Sequence, residues 1–182
     1  MDQNLSLPVF DIPHYNKFFK EENQRKNWYT FFKYFNDIEK YKILDFGCGA
    51  GWSIRIGTDF GYNIMGLDTN AINKFSFNLF QKFRKALGVD PYVKIYDGIE
   101  KLPFDDNEFN LIVCRASFNK FHNINVDKNT QRMALNRLEE FSRILTGERI
   151  VVITGSYFKE EFKQFDFKVF NWSKKRITRI WS

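Results

Sequence analysis

The chain of 182 residues is 43% apolar and has 22 phenylalanines, which is enough for one ordinary domain with its own hydrophobic core. Charged side chains make up 27% of it with both signs interspersed, which excludes an intrinsically disordered segment. No apolar run approaches the roughly 18 residues of a transmembrane helix, so we expect no membrane association. Two cysteines, Cys48 and Cys114, are too few for a disulfide framework and favour a reduced, cytoplasmic protein.

The net charge of +6 raises the question of a polyanionic partner. Apart from Lys174, Lys175 and Arg176, the basic residues stand beside acidic ones along the chain. This scatter favours a solvated basic surface, so nucleic acid is a possible partner but not the favoured one.

A helix running to about residue 40 is predicted first, because Trp28, Phe31, Phe32, Phe35 and Ile38 recur at helical spacing. Strands then alternate with helices, the strands at 43–46, 62–67, 92–96, 109–114 and 149–154 and the helices at 52–60, 70–87 and 127–145. This alternation predicts an α/β fold with an open, doubly wound, Rossmann-like parallel sheet. Two final β-like runs, 167–172 and 176–181, predict an antiparallel hairpin at one edge of a mostly parallel seven-stranded sheet.

We therefore expect a single domain over 1–182. Its predicted parts are an N-terminal helical cap or lid over 1–40, a ligand-binding core over 41–154 and a C-terminal edge hairpin over 155–182. In such a sheet, ligands bind outside the carboxyl ends of the strands, where the strand order reverses. The residues directly after each strand are therefore the informative ones.

The first strand ends in the turn from Asp45 to Gly51, which has glycine at positions 47, 49 and 51. Glycine lets the backbone turn sharply and approach a ligand closely, although a ligand-free glycine turn is an alternative. A dinucleotide-binding loop also follows a first strand, but its G-x-G-x-x-G spacing needs glycine where this chain has Trp52. The spacing and the leading Asp45 favour a sulfonium ligand with an ammonium group over a pyrophosphate.

Acidic residues also follow the second and third strands. Asp68 can accept hydrogen bonds from the two hydroxyls of a ribose, or else cap the following helix. Asp97, followed by Gly98 and Ile99, can accept from an adenine amino group while Ile99 lies against the ring, or else form a surface turn. Together they point to an adenosine ligand.

Four segments follow one another along the chain: the turn from Asp45 to Gly51, Asp68, Asp97-Gly98, and Leu102-Pro103-Phe104 followed by 109–113. Together they resemble the motifs of class I S-adenosylmethionine-dependent methyltransferases. The last segment is similar to the methyltransferase type 11 group. The resemblance covers about 42–154 and extends to the edge hairpin, since that family's sheet ends in an antiparallel strand. Any one motif is weak, whereas four in order at strand ends are specific.

The resemblance implies S-adenosylmethionine as cofactor, S-adenosylhomocysteine as product, and methyl transfer by SN2 displacement. The methionine moiety would lie along Asp45, Gly47 and Gly49, the ribose on Asp68 and the adenine on Asp97 and Ile99. Arg115 and Ala116 would lie near the methyl group or the methionine. The implied cofactor-binding residues are Asp45, Gly47, Cys48, Gly49, Gly51, Asp68, Thr69, Asp97, Gly98, Ile99, Arg115 and Ala116. Asn110 stands where the pattern usually has aspartate, but it begins a strand away from the methyl group.

The sequence says less about the residues that bind the methyl acceptor than about those that bind the cofactor. His122 is a candidate general base, which methyl transfer needs only when the nucleophile is poorly acidic or protonated. His14, Tyr15 and Phe118 are candidates for the acceptor pocket, and each of these residues has an ordinary surface or loop role as its alternative. No cluster with metal-ligand spacing is present, so we expect no metal.

The sequence thus predicts a methyltransferase that acts on a small molecule, as a monomer or homodimer. The alternatives are an RNA or protein methyltransferase, favoured by the basic charge, and a non-catalytic module that binds S-adenosylmethionine. A nicotinamide oxidoreductase is a distant further alternative because of Trp52.

Overall fold

The computed structural model describes residues 7–8, 20–35, 40–69, 74–96, 101–115, 117, 128–154, 159–173 and 176–181. Over these residues helices and strands alternate along the chain. The helices are α1 Glu21–Tyr34, α2 Trp52–Asp59, α3 Lys74–Ala86, α4 Lys128–Ile144 and the single turn α5 Lys159–Phe162, with a 3-10 turn at Asp90–Tyr92. The strands are β1 Lys42–Phe46, β2 Asn63–Thr69, β3 Val93–Tyr96, β4 Phe109–Cys114, β5 Leu145–Ile153, β6 Lys168–Ser173 and β7 Arg176–Trp181.

The strands form one seven-stranded sheet in the order β3-β2-β1-β4-β5-β6-β7. Every neighbouring pair is parallel except β6 and β7, which pair antiparallel at the edge. The predicted α/β fold and its antiparallel edge hairpin are therefore confirmed. The order reverses between β1 and β4, and this is where a ligand site is expected in such a sheet.

Both faces of the sheet are covered, which explains why its central strands are mostly apolar, with Asp45 of β1 and Asn110 of β4 as exceptions. One face carries Ile43, Leu111 and Val152 against side chains of α1, α2 and α3. The other carries Leu44, Ile112 and Val151 against α4 and α5. The aromatic stripe predicted for the N-terminal helix lies on the first face, with Trp28, Phe31 and Phe32 at most 3% exposed.

Some boundaries differ from the prediction. Helix α1 ends at Tyr34, before residue 40, because Phe35 leaves the helical conformation with φ −101° and ψ 84°. Strand β5 begins at Leu145, four residues earlier than predicted. Residues 146–148, which the prediction left between the helix and the strand, belong to an irregular start of this strand, with positive φ at Gly147 and Arg149 and a register shift against β4. The turn α5 was not predicted.

Within the described ranges, no helix combines the length and the apolar character that a membrane crossing requires.

Candidate active site

The glycine-containing turn after β1 folds back over the end of β2. The backbone N–H groups of Gly47 and Cys48 both donate to the Leu67 carbonyl, at 2.7 and 3.1 Å. Gly47, Gly49 and Gly51 all have positive φ, between 52° and 81°, which a residue with a Cβ adopts only at a cost. The alternating glycines are therefore required by the backbone of the turn itself.

Close packing adds a second requirement at Gly47. A Cβ placed there would lie 2.2 Å from the Cβ of Ser117, in the segment after β4. The Ser117 hydroxyl in turn donates to the Phe46 carbonyl at the end of β1. Ser117, which follows β4, therefore lies directly on the glycine turn and is hydrogen-bonded to the end of β1, the strand beside β4 where the sheet order reverses.

Asp45 at the end of β1 is 3% exposed. Its Oδ2 accepts from the Ser53 hydroxyl, in the first turn of α2, while its Oδ1 is buried and accepts no hydrogen bond from a described residue. Burial raises the pKa of this carboxyl to about 7, against the lowering effects of Ser53 and Arg115, and Asp68 raises it further. Asp45 is thus a buried carboxylate with an unused acceptor oxygen at the expected ligand edge.

Arg115 follows β4 on the same sheet face as Asp45. Its guanidinium lies over the rings of Trp28 and Trp172, with its Cζ 5.5 and 5.1 Å from their centroids. Its Nη1 donates to the side-chain oxygen of the buried Gln24 on α1, at 3.1 Å. Burial lowers the pKa of Arg115, and the negative charge of Asp45 raises it. The aromatic rings and Gln24 therefore hold a cation close enough to Asp45 for the two to interact electrostatically.

Asp68, near the end of β2, is 2% exposed and forms a buried ion pair. Its Oδ1 accepts from the backbone N–H of Thr69 at 2.9 Å, and its Oδ2 from Nη1 of Arg84 at 2.8 Å. The same Nη1 donates to the Gly49 carbonyl at 3.1 Å. Burial raises the pKa of Asp68, and the Thr69 and Arg84 hydrogen bonds oppose this. Arg84 thus joins Asp68 to the glycine turn.

The two cysteines are free thiols on opposite faces of the sheet. Burial raises the pKa of both thiols well above the usual value; Asp45 and Asp68 raise that of Cys48 further. Neither is therefore activated as a nucleophile. Cys48 lies at the site because it belongs to the glycine-containing turn. Cys114 instead packs in the core on the opposite face of the sheet.

The described part of the site brings together most of the predicted cofactor residues at the ends of β1, β2 and β4. These are Asp45, Gly47, Cys48, Gly49, Gly51, Asp68, Thr69 and Arg115. The predicted residues Asp97, Gly98, Ile99, Ala116, Phe118, His122, His14 and Tyr15 lie outside the described residues.

Sequence reasoning missed the residues that hold the site together from neighbouring elements. Ser53, Gln24 and Ser117 carry no motif, and no local pattern distinguishes them from ordinary polar residues. Arg84 offered one signal, since a basic residue lies among the apolar positions of α3, but its partner was not predictable. Asn110 lies where the prediction put it, away from these groups, and its side chain accepts from the Lys42 backbone N–H at 2.8 Å at the start of β1.

These groups fit S-adenosylmethionine in charge and hydrogen-bonding character. The unused Oδ1 of Asp45 matches an ammonium group, and Arg115 matches a carboxylate. Asp68 keeps acceptor capacity for ribose hydroxyls, because each carboxylate oxygen accepts more than one hydrogen bond. In the described residues, no group of three or more metal-ligating side chains comes together.

Solved structures of similar fold include a protein from Pyrococcus horikoshii, 18% identical, with a TM-score of 0.49 over 75% of this chain and 59% of that one. A SAM-dependent methyltransferase from Aquifex aeolicus is 20% identical, with a TM-score of 0.48 over 76% of this chain and 69% of that one. An uncharacterized protein of Methanocaldococcus jannaschii is 32% identical over 168 residues. That match covers 88% of this chain but 64% of the relative, so the chain spans less than two thirds of it.

The family comparison matches residues 44–147 to the methyltransferase domain family. The match contains the glycine turn, Asp68, Arg84 and Arg115, and it covers more than half of the chain. The chain therefore belongs to the methyltransferase domain family, of the S-adenosylmethionine-dependent kind.

Proposed function

We propose that this protein transfers a methyl group from S-adenosylmethionine to a small-molecule acceptor by SN2 displacement. The observation that carries the proposal is the placement of two opposite charges, Asp45 and Arg115, on one sheet face where the strand order reverses. A zwitterionic amino-acid group needs this combination of an anion and a cation.

The register of the sheet supports this reading. Asp45 of β1 pairs with Val113 of β4, so Arg115, two residues further, faces the same side. The Asp45 Oδ1 is the acceptor we assign to the ammonium of the methionine moiety, and the Arg115 guanidinium is the donor for its carboxylate. The rings of Trp28 and Trp172 lie beside the Arg115 guanidinium and make the surroundings of this charge less polar.

We assign the adenosine half of the cofactor to the neighbouring strand ends. Asp68 would accept from the ribose hydroxyls, with Thr69 beside it. By the sequence pattern alone, Asp97, Gly98 and Ile99 would contact the adenine, and Ala116 would lie near the methyl group or the methionine moiety.

When bound, S-adenosylmethionine supplies a methyl group on a positively charged sulfur, which is an electrophile already activated for transfer. The protein's contribution is then alignment of donor and acceptor and exclusion of water. A base is needed only for a poorly acidic or protonated nucleophile, and His122 is our candidate. Phe118, His14 and Tyr15 are the residues we assign to the acceptor pocket.

The distribution of charge supports a small acceptor over a nucleic acid. Basic side chains on several described elements are neutralised by neighbouring acids, which does not favour a continuous basic surface. These pairs are Arg25 with Glu21 and Asp59, Lys42 with Glu108, Arg55 with Asp59, Arg84 with Asp68, Arg143 with Glu140 and Asp106, Lys163 with Glu160, and Lys168 with Glu148.

The test follows a labelled methyl group from S-adenosylmethionine into a lysate of the source cells. We expect the label in the acid-soluble fraction with the native protein and with Glu148→Ala, a surface control, but not with Asp68→Ala. Label in acid-precipitable material that nuclease or protease releases would show an RNA or protein acceptor instead. Binding of S-adenosylhomocysteine without any labelled product would favour a non-catalytic module.

A further inference from the structure

Arg84 is fully buried, at 1% exposure, and lies beside a predicted ligand-binding acid. Its Nη1 is 2.8 Å from Asp68 Oδ2 and 3.1 Å from the Gly49 carbonyl oxygen. One nitrogen therefore connects the acid near the end of β2 with the glycine turn after β1. These are the two segments to which we assign the ribose and the methionine moiety.

The packing of α3 places Arg84 at this point. A Cβ at Gly51 would lie 3.3 Å from Cγ of Arg84 and 2.6 Å from Cγ2 of Val89, so the arginine stem lies against the glycine turn. The guanidinium carbon lies 5.7 Å from the centroid of the Phe77 ring. The stem and the head of the Arg84 side chain therefore both lie against neighbouring residues.

The other two nitrogens of the Arg84 guanidinium, Nε and Nη2, do not fix the side chain by hydrogen bonds. Its Nε and Nη2 are buried and meet no oxygen acceptor of a described residue at hydrogen-bond distance; Nε lies 3.8 Å from an Asp90 oxygen, and the guanidinium is close enough to the Cys48 thiol to lower its pKa. Buried donors in a purely structural role are usually satisfied. The geometry of the guanidinium is thus set by Asp68 and Gly49.

We propose that Arg84 is a positioning residue for the cofactor, holding Asp68 ionised and oriented as the acceptor for the ribose hydroxyls. This rests on the assignment of Asp68 to the ribose under the proposed function. The reason is the set of titratable groups around Asp68: the acid Asp45 lies on the adjoining β1, the neutral Cys48 thiol lies on the glycine turn, and the acid Asp90 lies beyond Arg84. Among the described residues around Asp68, Arg84 is the cation that contacts it.

The expected consequence is a change in the pH dependence of cofactor binding. Arg84 opposes the effect of burial on the Asp68 pKa, so its removal raises that pKa further. A protonated Asp68 is a poorer acceptor. Affinity is then lost as pH falls through the Asp68 pKa, and in a variant without the cation this loss begins at a higher pH.

The test measures the dissociation constant of S-adenosylhomocysteine by calorimetry from about pH 6 to about pH 8.5. For Arg84→Met we expect affinity at least about tenfold weaker than wild type at the acidic end, with much of the loss recovered at the alkaline end. Arg84→Lys, which keeps the charge, should follow the pH profile of the wild type. If Arg84→Met fails to fold, Arg84→Gln replaces it in this test, because glutamine also lacks the positive charge but keeps a hydrogen-bond donor.

Arg143→Met is the matched control, since Arg143 on α4 pairs with Glu140 and Asp106 away from the site. It should leave both the affinity and its pH profile unchanged. The proposal is overturned if the neutral Arg84 variants bind as wild type does at every pH, or if Arg84→Lys and the neutral variants are weakened equally with no pH dependence. A wild-type protein that does not bind S-adenosylhomocysteine would instead contradict the proposed function.

Discussion

Ser53 donates a hydrogen bond to one oxygen of Asp45, while the other oxygen of this buried carboxylate meets no donor among the described residues. The carboxylate is therefore half satisfied. Such a group costs stability in the free protein, and it is useful when a ligand brings the missing donor. The first two predictions follow from this arrangement.

Asp45→Asn should stabilise the free protein at alkaline pH. The Asp45 pKa is about 7 in the folded state, above the ordinary aspartate value of 3.8 that it has in the unfolded chain, so wild type loses stability as pH rises between these values. Asparagine keeps the shape without a charge. We expect a gain on the order of 2–4 kcal/mol at about pH 8 that disappears near about pH 4, measured by urea denaturation.

Asp106→Asn is the control for this measurement, because Asp106 is exposed and Arg143 lowers its pKa. It should bring no gain at the alkaline end. A stabilisation by Asp45→Asn that is the same at both pH values would show that charge burial is not the cause.

Ser53→Ala should move the pH dependence of cofactor binding to higher pH. The Ser53 hydrogen bond lowers the Asp45 pKa, so without it that pKa rises above about 7. We assign the ionised Asp45 to the cofactor ammonium, and S-adenosylhomocysteine should therefore bind more weakly at neutral pH, as calorimetry over a pH series can measure. Thr30→Ala, which removes a hydroxyl on α1 that bonds its own helix, should leave the curve in place; a matching shift there would contradict the assignment.

Arg115→Met should weaken the binding of the amino-acid part of the cofactor and leave the binding of its adenosine part unchanged. If Arg115 holds the methionine carboxylate, the variant should bind S-adenosylhomocysteine about 10- to 100-fold more weakly, the range expected for a lost charge-assisted hydrogen bond. Binding of 5′-methylthioadenosine, which lacks the amino-acid group, should not change. Asp68→Ala should weaken both ligands, and an equal loss of both ligands in Arg115→Met would indicate a structural role for the arginine.

Gly47→Ala should destabilise the fold more than Gly61→Ala. Both glycines have φ near +80°, so both substitutions cost about 1 kcal/mol of backbone strain. A Cβ at Gly61 has no atom within 4 Å, whereas one at Gly47 would lie 2.2 Å from Ser117 Cβ. Denaturant unfolding should show a larger loss for Gly47→Ala, and Ser117→Gly should recover part of it. Equal losses at the two glycines would contradict close packing of the segment after β4.

His122→Asn tests the proposed base once a labelled acceptor is identified. A general base typically contributes about 10²- to 10⁴-fold, so kcat should fall by that order while cofactor affinity is unchanged. A wild-type kcat would remove His122 from the mechanism and favour an acceptor that is already a nucleophile.

Much of this protein followed from the sequence because the relevant signals are local. Strand β4 has the bounds that its apolar run predicted, and the glycine turn and Asp68 stand at strand ends as expected. Apolar runs, helical spacing of apolar residues and glycines in turns each depend on a few neighbouring residues. These patterns therefore indicate local structure without knowledge of the packing. The order of elements then limited the topology to a parallel sheet with an antiparallel edge.

The partners of the site residues were decided only by the tertiary structure. Arg84 reaches Asp68 because α3 packs back onto β2, and Ser117 lies on Gly47 because β4 is placed beside β1. Arg115 meets Trp28 and Trp172, which come from the two ends of the chain. A sequence pattern records whether a residue is buried, whereas these contacts depend on which surfaces the sheet order brings together. The electrostatics of Asp45 and Asp68 therefore belong to the fold as a whole.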